Sequence, residues 1–265
     1  MIHTIIRHKP TRLFIILAGV FIANALIAEI IGVKIFSLEK TLGLAPAGFR
    51  LFGNDLSVNL TAGVLLWPVV FIMTDIINEY YGMKGVRFLS YLTAALIVFA
   101  FLVFYGAMQL TPADFFVTGK KGSGVPDMSK AYNSVLGQGG FIIIGSLTAF
   151  ILGQLIDVFV FHKIKKATGE KSIWLRATGS TLVSQFIDSF VVLFIAFYIG
   201  TRVNRTGNDF VWSFNLFIAV GVVNYIYKFI VAILLTPVIY LAHRWIENYL
   251  GHEKAAEMKK AAMEN

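Results

Sequence analysis

Apolar runs of about twenty residues recur along the 265-residue chain, and they constrain its fold more than any other feature. An α-helix of that length spans the hydrocarbon core of a bilayer. Hydrophobic residues make up 57% of the sequence and charged residues only 14%, a balance that excludes an ordinary soluble domain. The sequence therefore predicts an all-α polytopic membrane protein.

Six transmembrane helices are predicted, with both termini cytoplasmic. The first run continues to Ile31, so we interpret it as a transmembrane helix rather than a signal peptide. The orientation follows from the Lys and Arg residues, which are concentrated at both ends of the chain and in the loops after helices two and four. Lys165 and Arg176 are counted in the loop after helix four. Residues 1–265 are expected to form one transmembrane transporter domain, with 243–265 as a solvated cytoplasmic tail. The predicted helices are about 13–32, 60–81, 86–110, 141–161, 173–199 and 212–242.

Two of the predicted connections have unusual sequences. Residues 34–59 contain several glycines and alternate apolar and polar residues around 49–52, a pattern that favours a short hairpin or re-entrant segment. Residues 111–140 form the longest loop, which suggests a lid or a disordered segment. Inside the second helix, Pro68 after Trp67 is expected to bend the chain.

A polar cluster interrupts the end of the second predicted helix. Asp75, Asn78 and Glu79 stand at i, i+3 and i+4, so one helical face carries two carboxyl groups and an amide. Such a face is expected to line a binding site, in which case Glu79→Gln would abolish substrate binding and leave the protein inserted. The alternative is a solvated helix end at which Glu79 reaches the membrane interface.

Helices four and five share a sequence repeat. The segments 153–159 and 184–190 both read small-Gln-apolar-Ile-Asp-x-Phe, which places Gln and Asp on one face of each helix. We expect both glutamines to contact the ligand or the aspartate of the other helix. The pairs are Gln154 with Asp157 and Gln185 with Asp188.

Further polar residues lie in the first and last predicted helices. The first helix carries Asn24 and Glu29, and the last carries Asn224 and Lys228 at i and i+4. Lys228 is the only lysine deep inside a predicted span, so we expect it to pair with at least one buried acid. The acids considered are Asp75, Glu79, Asp157 and Asp188.

The cost of placing carboxylates in lipid indicates that the acids share a polar interior. Each of Glu29, Asp75, Glu79, Asp157 and Asp188 would cost roughly 2.5–3.5 kcal/mol if exposed to lipid. Together that is about 15 kcal/mol, the upper end of the net stability of a folded domain. We therefore expect a shared cavity. Polar side chains that only join helices remain the alternative for each Gln and Asp pair.

Such a cavity suits a flat heterocycle rich in hydrogen-bond donors, or a cation, because one carboxylate accepts two parallel N–H groups. The sequence contains no nucleotide-binding loop, so transport would draw on an ion gradient or on a separate partner. It contains no cysteine, which excludes thiolate metal sites and disulfides. We expect no enzyme activity, no catalytic or metal-binding residue, no cofactor and no nucleic-acid partner.

Three stretches resemble the queuosine precursor transporter family, a group within the vitamin-uptake-like membrane transporters. They are the phrase Thr-Asp-Ile-Ile-Asn-Glu-Tyr-Tyr-Gly at 74–82, residues 24–34 and the Gln-x-x-Asp repeats, and the likeness covers about 14–244. The resemblance implies a six-helix carrier in the bacterial inner membrane that imports 7-cyano- or 7-aminomethyl-7-deazaguanine. Similarity to the membrane components of energy-coupling-factor transporters leaves open an ATPase partner and a vitamin or other heterocycle as substrate.

Asp75 and Glu79 also faintly resemble the metal-diphosphate motifs of membrane prenyltransferases, but the remaining acids are too few for such a cluster. A purely structural membrane protein is a further alternative. The expected partners are a purine-like small molecule and the lipid bilayer, and a homodimer stays open. The candidate substrate-binding residues are Asn24, Asp75, Asn78, Glu79, Gln154, Asp157, Gln185, Asp188, Asn224 and Lys228.

Overall fold

Long apolar helices form most of the structure. The computed structural model describes residues 7–46, 48–137, 140–169, 172–203 and 211–264. The described α-helices are α1 (Lys9–Ile31), α2 (Leu38–Thr41), α3 (Trp67–Met108), α4 (Asp114–Thr118), α5 (Met128–Leu136), α6 (Gly140–Thr168), α7 (Ile173–Leu193), α8 (Gly200–Val203), α9 (Phe214–Leu234), α10 (Thr236–Leu250) and α11 (His252–Glu264). Five of them, α1, α3, α6, α7 and α9, belong to stretches long and apolar enough to cross a membrane. The protein is thus an all-α membrane protein.

Two nested β-hairpins connect α1 to α3. The strands are β1 (Ile35–Ser37), β2 (Phe49–Leu51), β3 (Asn54–Leu56) and β4 (Asn59–Thr61). β1 pairs with β4 and β2 with β3, both antiparallel. Inside this segment the buried Glu39 carboxylate accepts a hydrogen bond from the Val58 amide, at 2.7 Å. The predicted hairpin is confirmed. Residue 47, between α2 and β2, lies outside the described residues.

The second predicted helix starts later than the sequence suggested. Leu60 lies in β4, and the 3₁₀ turn Ala62–Leu65 follows it, so α3 begins only at Trp67. Pro68 occupies the first turn of α3, where its missing N–H costs no helical hydrogen bond. The expectation that Pro68 bends the helix is therefore wrong: this proline begins it.

Gly82 divides α3 into two halves. Forty-two residues would extend about 63 Å if straight, twice the thickness of the hydrocarbon core. At Gly82 the backbone leaves the helical region, with φ 72° and ψ −177°. The second half then runs back until Met108 lies beside Gly137, just before α6. The two halves correspond to the second and third predicted helices.

Both described ends of the chain lie at one end of the bundle, which we name the terminal end. The Lys9 ammonium donates to the Tyr249 carbonyl at 2.8 Å, and the Tyr81 hydroxyl donates to the Pro10 carbonyl at 2.7 Å. The start of α1, the Gly82 bend and the end of α10 therefore meet there. The opposite end, which carries the β-hairpins, is the hairpin end.

The last predicted helix is two helices in the structure. α9 ends at Leu234, and α10 begins at Thr236 with Pro237 in its first turn. A proline at this position cannot continue the hydrogen bonding of α9, which explains the break inside the predicted 212–242. Residues 204–210, which precede α9, lie outside the described residues.

The C-terminal helix α11 packs against the bundle. Ala255 and Ala262 are 1% and 4% exposed, and a Cβ atom at Gly82 would lie 3.0 Å from the Ala262 carbonyl oxygen. The Lys259 ammonium donates to Glu247 of α10, at 2.5 Å. The expectation that this tail is solvated is wrong, because its alanine face covers the Gly82 bend.

The long connection between α3 and α6 contains two short helices, α4 and α5. The Asp127 carboxylate caps α5 by accepting from the Lys130 amide at 3.0 Å. This described part of 111–140 is therefore largely helical rather than disordered. Residues 138 and 139 of the predicted loop lie outside the described residues.

We expect Gly82→Ala to destabilise the protein. The positive φ with extended ψ suits only glycine, and any other residue held in this conformation costs about 1–3 kcal/mol. The added Cβ would also press on Ala262. The measurement is the melting temperature of the detergent-solubilised protein. Gly106→Ala in the same helix is the control, because its Cβ meets open space. Equal melting temperatures for the two variants would contradict the packing described for α11.

Candidate functional site

Two cavities meet inside the bundle, and Trp67 and Lys228 line both. The hairpin-end cavity has a volume of about 310 Å³ and lies between α1, α6, α7, α9 and the hairpins. The central cavity lies between α3, α7, α9 and α10 and has a volume of about 30 Å³, room for about two water molecules. Its walls are mostly apolar, and its polar lining includes Asp75 and Gln185.

Asp75 is a buried carboxyl group that faces the central cavity. It is 1% exposed, and no described residue donates a hydrogen bond to either of its oxygens. Gln185, 2% exposed, lines the same cavity, and its amide likewise has no partner among the described residues. An unpaired buried polar group costs about 1–3 kcal/mol, so these groups are suited to bind a ligand or water.

Lys228 and Asp188 form an ion pair where the two cavities meet. Both side chains are 15% exposed, and Asp188 lines the hairpin-end cavity. The prediction that Lys228 pairs with a buried acid is confirmed.

The first Gln and Asp pair of the repeat packs against neighbouring helices. The Thr74 hydroxyl of α3 donates to Gln154 Oε1 at 3.0 Å, and the Ser184 hydroxyl of α7 donates to Asp157 Oδ1 at 3.1 Å. Gln154 is 2% and Asp157 1% exposed, so neither faces lipid. Gln154 and Asp157 are absent from the linings of both the central and the hairpin-end cavity. α6 contacts α7 at Gly153, where a Cβ atom would lie at ordinary contact distance, 3.7 Å, from the Asp188 Cβ.

Glu79 lies in a buried ion network at the terminal end. Its Oε1 accepts from Arg176 Nη2 at 2.7 Å, and its Oε2 lies 3.2 Å from Lys165 Nζ. All three side chains are at most 2% exposed. Lys165 also donates to the Lys259 carbonyl of α11, at 3.5 Å. Glu79 therefore joins α3, α6 and α7 and lines neither cavity. The alternative of an interfacial Glu79 is wrong, because no part of the side chain is exposed.

His243 is buried beside this network. Its Nδ1 lies 3.2 Å from the Tyr80 hydroxyl. Burial, together with the nearby Lys259 and Arg176 charges, lowers the pKa of His243 to about 3. His243 is therefore neutral at physiological pH.

The remaining predicted residues occupy different places. Asn78, buried in α3, has no partner among the described residues, and it lines neither cavity. Asn24 and Asn224 each donate to the carbonyl four residues earlier in their own helix, at 2.8 and 3.0 Å. Asn224 lines the hairpin-end cavity, whereas Asn24 lines neither. Glu29 lines the hairpin-end cavity and accepts from the Ser146 hydroxyl at 2.7 Å.

A family model described as "Putative vitamin uptake transporter" matches residues 61–242, from β4 into α10. The chain belongs to this vitamin uptake transporter family. The match includes every helix that lines the central cavity, α3, α7, α9 and the start of α10.

Three curated relatives are queuosine precursor transporters by name, which confirms the resemblance found in the sequence. The "Probable queuosine precursor transporter" of Bacillus subtilis (strain 168) is 28% identical over 201 residues, 75% of this chain and 76% of the relative. The protein of the same name from Haemophilus influenzae is 28% identical over 209 residues, 74% of this chain and 72% of the relative. The "Queuosine precursor transporter" of Escherichia coli is 27% identical over 143 residues, 54% of this chain and 58% of the relative. No solved structure matches the chain.

Sequence reasoning missed two charged residues in this family member. Lys165 and Arg176 were assigned to a loop, but they lie in α6 and α7 and are 2% and 0% exposed. The sequence did contain a signal for Lys165, because residues three or four apart share a helical face. Such a face of α6 carries Gln154, Asp157, Phe161 and Lys165. That all four are buried confirms the common face.

We expect Glu79→Gln to destabilise the protein, unlike the sequence-based expectation that the variant stays intact. The substitution leaves the buried Arg176 and Lys165 charges without their carboxylate, at a cost of about 3–5 kcal/mol. The measurement is the melting temperature in detergent.

Glu247→Gln is the control for that experiment. Glu247 pairs with Lys259 but is 27% exposed, so its loss should lower the melting temperature less. If Glu79→Gln melts like the wild type and fails to bind substrate, Glu79 belongs to the binding site instead.

Proposed function

We propose that the chain imports a 7-deazaguanine precursor of queuosine, in the cyano or aminomethyl form, across the bacterial inner membrane. The names of the curated relatives support this class of substrate. The observation that carries the proposal is Asp75, a carboxylate with both oxygens unpaired among the described residues and facing a central cavity. The activity is transport rather than catalysis.

The bidentate acceptor Asp75 matches the hydrogen-bonding edge of such a substrate. A 7-deazaguanine offers N1–H and its 2-amino group as two parallel donors, which one carboxylate accepts together. Its O6 and N3 atoms need donors, and the unpaired amide of Gln185 supplies one in the same cavity.

Aromatic side chains beside Asp75 suit the flat ring. Trp67 and Phe71 line the central cavity, stacked with centroids 6.0 Å apart and an interplanar angle of 26°, and Tyr227 lies in the same wall. With about 30 Å³ the cavity is too small for a bicyclic heterocycle, so substrate entry requires these walls to separate.

The Lys228–Asp188 pair is suited to gate this movement. It lies where the central cavity meets the larger hairpin-end cavity, through which substrate would enter. A substrate with its own donors competes for nearby carboxylates, so occupancy would bias the pair between closed and separated states. The aminomethyl form would add a cation for Asp188.

The two halves of α3, together with α1, α6, α7 and α9, would give six membrane crossings, and the hairpin end would face outward. The basic residues near both termini favour this orientation. An ion gradient would drive uptake, since the sequence holds no nucleotide-binding loop.

We expect Asp75→Asn to weaken binding of 7-cyano-7-deazaguanine by about ten- to hundredfold. The amide accepts only one N–H group well, and a hydrogen bond to a charged group contributes about 1.5–3 kcal/mol. The measurement is the dissociation constant in detergent by calorimetry, with uptake of the labelled compound into proteoliposomes as the functional test.

Asp55→Asn is the matched control, because this aspartate is exposed in β3 and lies in neither cavity. Equal affinities for Asp75→Asn and Asp55→Asn would remove Asp75 from the binding site. Saturable uptake of a vitamin, with no uptake of either deazaguanine, would replace the proposed substrate.

A further inference from the structure

Two buried aspartates in the bundle have no cation paired with them in the part of the chain that the structure describes. Glu79 pairs with Arg176 and Lys165, and Asp188 pairs with Lys228. In contrast, both oxygens of Asp75 and Oδ2 of Asp157 have no hydrogen-bond partner among the described residues. The two side chains are each 1% exposed, and Asp75 lies within electrostatic range of Asp157, Glu79 and Arg176.

Charge counting around these aspartates leaves one negative charge in excess. Lys228 is balanced by Asp188, Lys259 is balanced by Glu247, and His243 is neutral. Glu29 lies at the hairpin end, beside Ser146. Three carboxylates then face two cations. Glu79 on α3 and Arg176 on α7 lie within electrostatic range of Asp75, and Tyr227 and Lys228 on α9 line the central cavity with it. The other described titratable groups nearby surround the Glu79 network, namely Lys165 on α6, His243 on α10 and Lys259 on α11.

An unbalanced charge buried in a protein core is strongly unfavourable, and such a group normally becomes neutral by changing its protonation state. We infer that Asp75 and Asp157 together bind one proton, which neutralises the central cluster. A metal ion is disfavoured, because no group of three His, Asp or Glu side chains in the described part of the chain is arranged to hold one.

The position of this proton depends on the substrate, a step that rests on the proposed function. A deazaguanine needs both Asp75 oxygens as acceptors, so the proton must then reside on Asp157. Ser184 donates to Oδ1 of Asp157 and leaves Oδ2 for the proton. The proton and the neutral cyano form of the substrate therefore occupy the site together, and they cross the membrane together.

Infrared spectroscopy of the substrate-free protein tests the proton directly. The measurement is made in detergent at neutral pH, in a Glu29→Gln background, because Glu29 is another buried carboxyl group. We expect an absorption of one protonated carboxyl group that shifts in D₂O. Asp157→Asn and Asp75→Asn should each abolish it, because two carboxylates then face two cations. Asp55→Asn, at an exposed aspartate, should leave it unchanged.

Absence of the absorption in this background overturns the inference, whether or not the variants fold. Its persistence in both aspartate variants overturns it too, as does stabilisation of the protein by sodium at constant pH. None of these results depends on the identity of the substrate.

Uptake of labelled 7-cyano-7-deazaguanine into proteoliposomes tests the coupling. An inward proton gradient should stimulate the wild type, and Asp157→Asn should retain uptake but lose the stimulation. Stimulation that persists in Asp157→Asn would overturn the coupling role. If neither protein takes up the compound while the infrared signal is as expected, the proposed substrate fails and the proton site stands.

Discussion

The buried ion network of Glu79 is the interaction on which the arrangement of the helices depends. One carboxylate on α3 accepts from Arg176 on α7 and lies beside Lys165 on α6. Lys165 extends the network to the backbone of α11. Because a buried charge is tolerated only with its partners in place, these helices cannot slide or rotate independently. The network fixes the terminal end, whereas the larger of the two cavities lies at the hairpin end.

This division explains why polar residues of similar appearance have different surroundings. Asp75 and Glu79 are one helical turn apart on α3. Asp75 faces the central cavity and has no hydrogen-bond partner among the described residues, whereas Glu79 pairs with two cations. At the terminal end the buried charge of Glu79 is thus paired, whereas the central cavity is lined by the side chains of Asp75 and Gln185, unpaired among the described residues. Unpaired groups next to a cavity are where a ligand gains most, since the protein itself leaves them unsatisfied.

Much of the fold could be predicted from the sequence, because an apolar run of about twenty residues matches the thickness of the bilayer when it forms a helix. The all-α membrane class followed from these runs, and the hairpin between the first two predicted helices was also expected from the sequence. Two helix boundaries were predicted wrongly, and both lie at prolines. Pro68 lies in the first turn of α3, and Pro237 lies in the first turn of α10. A proline marks a discontinuity in either case, and only the backbone shows whether a helix bends or begins there. Packing of the alanine face of α11 was also invisible, because alanine and lysine alternate in solvated helices as well.

The site was only partly predictable. The ion pair of Lys228 followed from cost alone, since a lysine among buried acids needs a partner. The cost argument does not say which acid faces a cavity and which packs against a helix, so Glu79, Gln154 and Asp157 were grouped with Asp75. Lys165 and Arg176 were missed because basic residues near a helix end usually mark the membrane surface.

The spacing of the Glu79 network along the chain has a consequence for synthesis. Lys165 follows Glu79 by 86 residues and Arg176 follows it by 97. At about 5–20 residues per second, the ribosome needs several seconds to supply these cations after the carboxylate emerges. Glu79 lies three residues before the Gly82 bend, at the end of its half-helix, where water can solvate it during that interval. A carboxylate nearer the middle of this half-helix would be surrounded by lipid, unpaired, until those cations are synthesised.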